Sequence, residues 1–168
     1  MAYKTENNVL AAFGGESQAC RRYLLFAEKA DADGHPQVAR LFRAVAAAEA
    51  IHARNHMTAI DAVGTTKDNL LAASLGERQE QAHIYPDYIE IAKEERNDRA
   101  ERTFTLANKV EGVHCTLFEK AYEEIKAGRS LAETDYCVCQ VCGNTVAGSA
   151  PEKCLVCGSP ASRFTSVE

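Results

Sequence analysis

The sequence predicts a mainly α protein: a four-helix bundle followed by a small C-terminal module organised by four cysteines. Two observations predict it. The composition changes abruptly near residue 130, because the last 38 of the 168 residues hold five of the seven cysteines. The preceding stretch is rich in Ala, Glu and Arg and poor in breakers, which is helical material. That stretch also divides at its breakers into four segments of helix length, each with an apolar seam at coiled-coil spacing. A tail this short cannot bury a core of its own, so a metal or disulfides must organise it. In a reducing compartment the metal is expected. The expected domains are 1–130 and 131–168.

The elements follow in order. A first helix is expected over about 6–32. The second begins after Asp33-Gly34-His35-Pro36, with Pro36 in its first turn, and ends near Gly64. The third follows Thr65-Thr66 and carries Pro86 in its interior, where a kink or local unwinding is expected. The fourth runs over about 98–128, with Gly128 as its C′ residue. Residues 128–135 then read as a short tether.

Charge and hydropathy exclude several classes of function. Nineteen Lys and Arg against 24 Asp and Glu give a formal charge of −5, which lacks the electrostatic footprint of a nucleic-acid binder. No apolar run approaches the ~18 residues of a membrane helix. The N-terminal stretch has no basic segment followed by an apolar one, so no signal peptide is read there. The expectation is a soluble, cytoplasmic protein with no nucleic-acid or membrane partner.

The seams carry the chemistry. They run Val9, Phe13, Glu16, Cys20, Tyr23, Ala27; then Val45, Glu49, His52, His56, Ala59, Val63; then Leu70, Ala73, Glu77, Glu80, Ile84; then Phe104, Ala107, Glu111, His114, Phe118, Ala121, Ile125. Each is apolar except near its middle. One ionised carboxylate in an apolar core costs several kcal/mol, and here five converge without Lys or Arg on the same seams. A pair of metal ions meets the need for positive charge. Glu49-x-x-His52 and Glu111-x-x-His114 each put a carboxylate and an imidazole one turn apart on one face. With one Glu from each of the other two helices, this is the ligand set of ferritin-like di-iron proteins, and Glu80 is a surplus carboxylate. The halves also look duplicated: Glu16 maps onto Glu77 at an offset of 61, and Phe42, Glu49 and His52 map onto Phe104, Glu111 and His114 at 62. His56 reads as a core histidine, and His35 and His83 as surface residues.

In the tail, Cys139-x-x-Cys142 and Cys154-x-x-Cys157 are two knuckles, each followed by a glycine that permits positive φ. Four thiolates at this spacing make a closed tetrahedral site. Zinc there gives a structural ribbon and iron a one-electron carrier. Coupling to a redox-active pair upstream favours iron, with zinc as the substitute. Cys137 lacks the knuckle spacing and reads as a bystander. Cys20 and Cys115 read as small core thiols.

Over nearly its whole length the chain resembles the rubrerythrin family. The matching stretches include Gly15-Glu16-Ser17, residues 48–53 around Glu49 and His52, residues 76–80 around Glu77 and Glu80, Tyr85-Pro86, residues 111–114, and the tail from Tyr136 to Phe164. The resemblance implies a ferritin-like bundle fused to a rubredoxin-like domain. It implies a non-haem peroxidase that reduces hydrogen peroxide to water at an oxo-bridged iron pair, with a rubredoxin-type iron passing electrons inward from an external reductase. Glu16, Glu49, Glu77, Glu111 and His114 would be ligands of the pair, with Glu49 and Glu111 bridging. Glu80 and His52 match the carboxylate and imidazole that exchange on one iron upon reduction, and Glu80 would relay protons once released. Tyr23 and Tyr85 match tyrosines that hydrogen-bond near the irons. A homodimer is implied, head-to-tail, with helices exchanged between subunits in some members. Leu155 stands where the family usually has proline, and Cys115 replaces a small residue beside His114. Two other readings use the same residues: a ferroxidase or iron-storage protein, and a non-enzymatic metal protein with a zinc-ribbon tail.

Overall fold

The structure is a computed structural model that describes residues 4–167. The chain forms two compact units, one ending at Gly64 and one beginning at Thr65.

The first unit is a hairpin of α1 (Lys4–Ala32) and α2 (Pro36–Ala59). Gly34, at φ 79°, reverses the chain, and the N–H of His35 closes on the Ala30 carbonyl at 2.8 Å. This satisfies a carbonyl that the helix end would leave orphaned. Pro36 starts α2, where its missing N–H costs nothing. The residues buried in the hairpin are alanines: Ala19, Ala27 and Ala30 on α1, and Ala39, Ala46 and Ala53 on α2. The α2 set recurs every seven residues, so small side chains let the two helices approach closely along one stripe. The contact with α1 therefore uses that stripe, whereas the seam through Val45, Glu49 and His52 is only partly covered and His52 itself is exposed. α2 also ends at Ala59, short of the expected Gly64. There the N–H of Ala62 bonds the Met57 carbonyl at 3.0 Å and Asp61 takes φ 49°.

The second unit begins with α3 (Thr66–Gln79), capped by Thr65, whose hydroxyl oxygen accepts from the Asp68 N–H. The unwinding expected near Pro86 is present and has a definite form: a π-helical turn over Glu80–Ile84, followed by α4 (Tyr85–Glu94). The N–H of Tyr85 reaches the Glu80 carbonyl, five residues back. α5 (Asp98–Lys126) is capped by Asn97 and ends before Gly128, which adopts φ 74° as a C′ glycine should. Both α3 and α4 pack along α5.

Matching aromatic clusters occur in the two units. Tyr23, Phe26 and Phe42 pack with ring centroids 5.5–6.2 Å apart, and Tyr85, Tyr88 and Phe104 do so at 5.5–6.3 Å. Each residue of the second cluster lies 62 positions after its counterpart in the first.

The tail is a three-stranded antiparallel sheet in the order β2-β1-β3, with β1 at Tyr136–Cys139, β2 at Thr145–Ala147 and β3 at Phe164–Val167. Val138 pairs with Thr145 on one side and Thr165 on the other. β2 packs against α5 of the same chain.

Candidate metal centres

Among the described residues three clusters of ligating side chains form, each with its donor atoms within 4.8 Å of one another. The first unit brings together Glu16, Glu49 and His52. Glu49 and His52 are one turn apart on α2, and Glu49 Oε2 lies 2.8 Å from His52 Nδ1, with Glu16 Oε1 at 3.8 Å. The second unit repeats the pattern with Glu77, Glu111 and His114. Glu111 Oε2 is 2.9 Å and Glu77 Oε2 3.7 Å from His114 Nδ1. Each cluster supplies two carboxylates and one imidazole, a donor set suited to iron.

The electrostatics of the second cluster are those of closely set, partly buried carboxylates. Glu77 is pushed up to about 7, first by burial, then by its hydrogen bond to Glu111 and repulsion from it; His114 offsets part of this. Tyr85 is also raised, by burial and then by the charges of Glu111, Glu80 and Glu77. That places Tyr85 beside the cluster. Glu80 lies half-buried at the head of the π turn, outside the group of three converging donors. Tyr23 is a member of the aromatic cluster of the first unit. His35 and His83 are exposed and His56 half-buried.

A cavity of about 480 Å³ opens beside Glu77 and His114, walled by apolar side chains that include Leu70, Leu117 and Phe118, with Tyr136 and Thr145 from the tail. It is large enough for a small molecule and presents few polar groups besides Glu77 and His114.

The third cluster is Cys139, Cys142, Cys154 and Cys157. Its two knuckles have the same local geometry. The N–H of Gly143 bonds the Cys139 carbonyl at 2.8 Å with φ 82°, and the N–H of Gly158 bonds the Cys154 carbonyl at 2.8 Å with φ 75°. The sulfurs of Cys139 and Cys157 are 3.7 Å apart, and those of Cys142 and Cys154 are 3.6 Å apart, close enough for one tetrahedral ion to span. The Ser159 hydroxyl holds Cys157 down to about 6, while burial raises Cys142. Cys137 stands apart, buried and 3.6 Å from the Ser166 hydroxyl. Cys115 is buried too, its thiol aimed at the Ser74 carbonyl at 3.5 Å, and burial pushes its pKa up.

Sequence reasoning missed Thr145. Its hydroxyl lies 3.1 Å from His114 Nε2, and no periodicity or spacing in the helices signals a residue that the tail delivers.

Helices carrying paired Glu-x-x-His sites, joined to a four-thiol module, define an iron-binding oxidoreductase of the ferritin-like class with a rubredoxin-like tail. Family comparison makes this specific. The model described as "Rubrerythrin" matches residues 7–122, and that described as "Rubrerythrin, rubredoxin-like domain" matches residues 138–165. Rubrerythrin-2 of Clostridium acetobutylicum is 34% identical over 174 residues, covering 95% of each chain. Nigerythrin of Nitratidesulfovibrio vulgaris is 34% identical, covering 96% of this chain and 86% of its own. A solved structure described as the fully reduced, all-ferrous state of nigerythrin aligns with a TM-score of 0.59 at 32% identity, covering 99% of this chain and 88% of that one. The chain belongs to the rubrerythrin family. The cofactors of that family are a di-iron site and a four-cysteine iron, and the donor sets described above fit both.

Proposed function

We propose that the protein is a non-haem peroxidase that reduces hydrogen peroxide to water and is re-reduced through its four-cysteine iron by an external reductase. The observation that supports this best is the presence, in one chain, of Glu/His clusters of iron-binding composition and a four-thiol cluster seated on one of the helices that carry them. When bound, the iron pair supplies the two electrons that O–O cleavage consumes, and the four-cysteine iron returns electrons singly.

The chain's own residues do the rest. Glu16, Glu49, Glu77, Glu111 and His114 would hold the pair, and Glu80 and His52 would be the exchanging ligands. His52 is suited to that by its exposure, and Glu80 by its place on a π turn, an element that recurs at functional sites. Glu80, once free, carries protons toward the departing oxygens. The hydroxyls of Tyr85 and Tyr23 would donate hydrogen bonds near the irons; Tyr85, with its raised pKa, keeps its proton at neutral pH. The apolar cavity limits water around the second cluster.

The working domains are residues 1–130 and 131–168, a division supported by the irregular stretch between Lys126 and Tyr136. The protein acts as a homodimer, head-to-tail or with helices exchanged between subunits. No described helix is long and apolar enough to cross a membrane, and seven unpaired cysteines suit a reducing cytoplasm.

Anaerobic titration of the fully reduced protein with hydrogen peroxide, followed by visible spectroscopy, tests the reading. Prompt return of the ferric four-cysteine colour with stoichiometric peroxide consumption is expected. Oxidation of the helical iron with a tail that stays colourless would overturn the relay and favour a ferroxidase or a zinc ribbon.

A further inference from the structure

The second unit joins its two clusters through a single side chain. Thr145 lies on β2, three residues after Cys142, and is held there by pairing with Val138 on β1. Its Oγ1 lies 3.1 Å from His114 Nε2 and 3.2 Å from the Gly143 carbonyl oxygen. A hydroxyl has one proton to give. Donated to the Gly143 carbonyl, it leaves Oγ1 facing the imidazole as an acceptor, so Nε2 carries a proton and donates it. The neutral ring then presents a bare lone pair at Nδ1. That is the nitrogen facing Glu111 and Glu77.

The neighbouring contact agrees. A Cβ built on Gly143 would stand 3.9 Å from Val110 Cγ1, and Val110 is buried one turn before His114 on the same face of α5. The first unit lacks the device. Its counterpart His52 contacts Glu49 and Glu16 through Nδ1, and among the described residues no hydroxyl holds its Nε2.

We propose that Thr145 is a positioning residue for the helical iron centre. It latches the four-cysteine module onto α5 of its own chain and fixes His114 with Nε2 protonated and Nδ1 free for the metal. The inference rests on reading Glu77, Glu111 and His114 as iron ligands. It makes the two imidazoles unequal: His114 is locked by an outer partner, while His52 is left to move. Outer partners of ligating histidines set tautomer and ring orientation, and losing one weakens metal binding by about 10–100-fold.

The test uses the full chain loaded with zinc, which is diamagnetic, with nitrogen-15-labelled histidine and the variants Thr145→Val and Thr145→Ser. In the wild type, His114 should show a slowly exchanging Nε2 proton and a metal-bound Nδ1. Thr145→Val should lose the protection of that proton and bind zinc at the helical site about 10–100-fold more weakly. The four-cysteine site should still fill, and the His52 signals should not move. Thr145→Ser should restore both properties, because it keeps the hydroxyl. Wild-type affinity and an unchanged His114 signature in Thr145→Val overturn the proposal; so does a serine variant as weak as the valine one, which would mean that shape rather than the hydrogen bond matters. If Glu111→Ala binds helical zinc as well as the wild type does, the ligand assignment has failed, which is a different result from failure of the latch.

Discussion

Glu77 shows how much of the site's chemistry resides in single residues. In the metal-free chain its carboxyl is raised from 4.5 to about 7, so the folded state holds its proton more tightly than the unfolded chain does. The sign follows. Stability from that proton is fully present below about pH 4.5, is lost as pH rises through 7, and is constant above. Metal-free protein should therefore melt at progressively lower temperature between pH 4.5 and 7, and Glu77→Gln should flatten that slope. Calorimetry of both forms across this window checks it; equal slopes would remove Glu77 from the account. Metal must displace the same proton, so the stability that bound metal adds should grow as pH rises toward 7 and level off above it, with affinity falling below it. The residues proposed as ligands stood out in the sequence because a carboxylate on an apolar seam has no inexpensive structural explanation. Thr145 was not, because its role depends on where the tail rests on α5, and helical periodicity carries no such information.

Among the elements, the π turn explains the break in the internal repeat. Glu16 and Glu77 are 61 positions apart, but from Tyr23 and Tyr85 onward the matched residues are 62 apart. One extra residue therefore lies between Glu77 and Tyr85, where the π turn Glu80–Ile84 is found. In a continuous α-helix, seven residues return to nearly the same face, whereas eight overshoot by roughly 80°. A π turn absorbs the extra residue and lets Tyr85 meet Phe104 much as Tyr23 meets Phe42. The insertion also brings Gln81 over Gly112, where a Cβ would come within 2.5 Å of the Gln81 amide nitrogen. The shift of offset was visible in the sequence. Pro86 supplied the more obvious reason for unwinding, but only the structure shows that the irregularity precedes the proline. Deleting exposed Ala82 should give one continuous helix that keeps the Tyr85–Phe104 stack and melts within a few degrees of the wild type. Peroxide turnover should fall, because Glu80 leaves its π-turn position, while helical iron loading persists. A deletion variant that loses the stack, read by aromatic NMR contacts, would show that the extra residue is not what the π turn absorbs.

For the whole molecule, chain reach favours the proposed homodimer with exchanged helices. A ferritin-like bundle has one long crossover, because its second and third helices run in the same direction. Here α2 ends at Ala59 and α3 begins at Thr66, leaving residues 60–65 to connect them. Fully extended, that link reaches at most about 25 Å. Glu49 lies about 15 Å before the end of α2 and Glu77 about 16 Å after the start of α3, so a crossover that levels the two carboxylates must run back about 31 Å. The actual link is shorter still, since the Asp61 and Ala62 N–H groups turn back onto α2. The hairpin of α1 and α2 buries only alanines and leaves Leu10, Leu25, Leu41 and Ile51 exposed, a surface that calls for a second pair of helices. The proposed exchange between two copies would supply it, α1 and α2 of one chain with α3 and α5 of the other. Complementation tests this directly. One differently tagged chain carries Glu49→Ala with His52→Ala, the other Glu111→Ala with His114→Ala, and each alone should bind no helical iron pair. Heterodimers isolated through both tags should regain one pair for every two chains, because one of their two bundles then combines the intact halves. If bundles closed within single chains, every bundle would keep one dead half, and the heterodimer would bind no more helical iron than its parents.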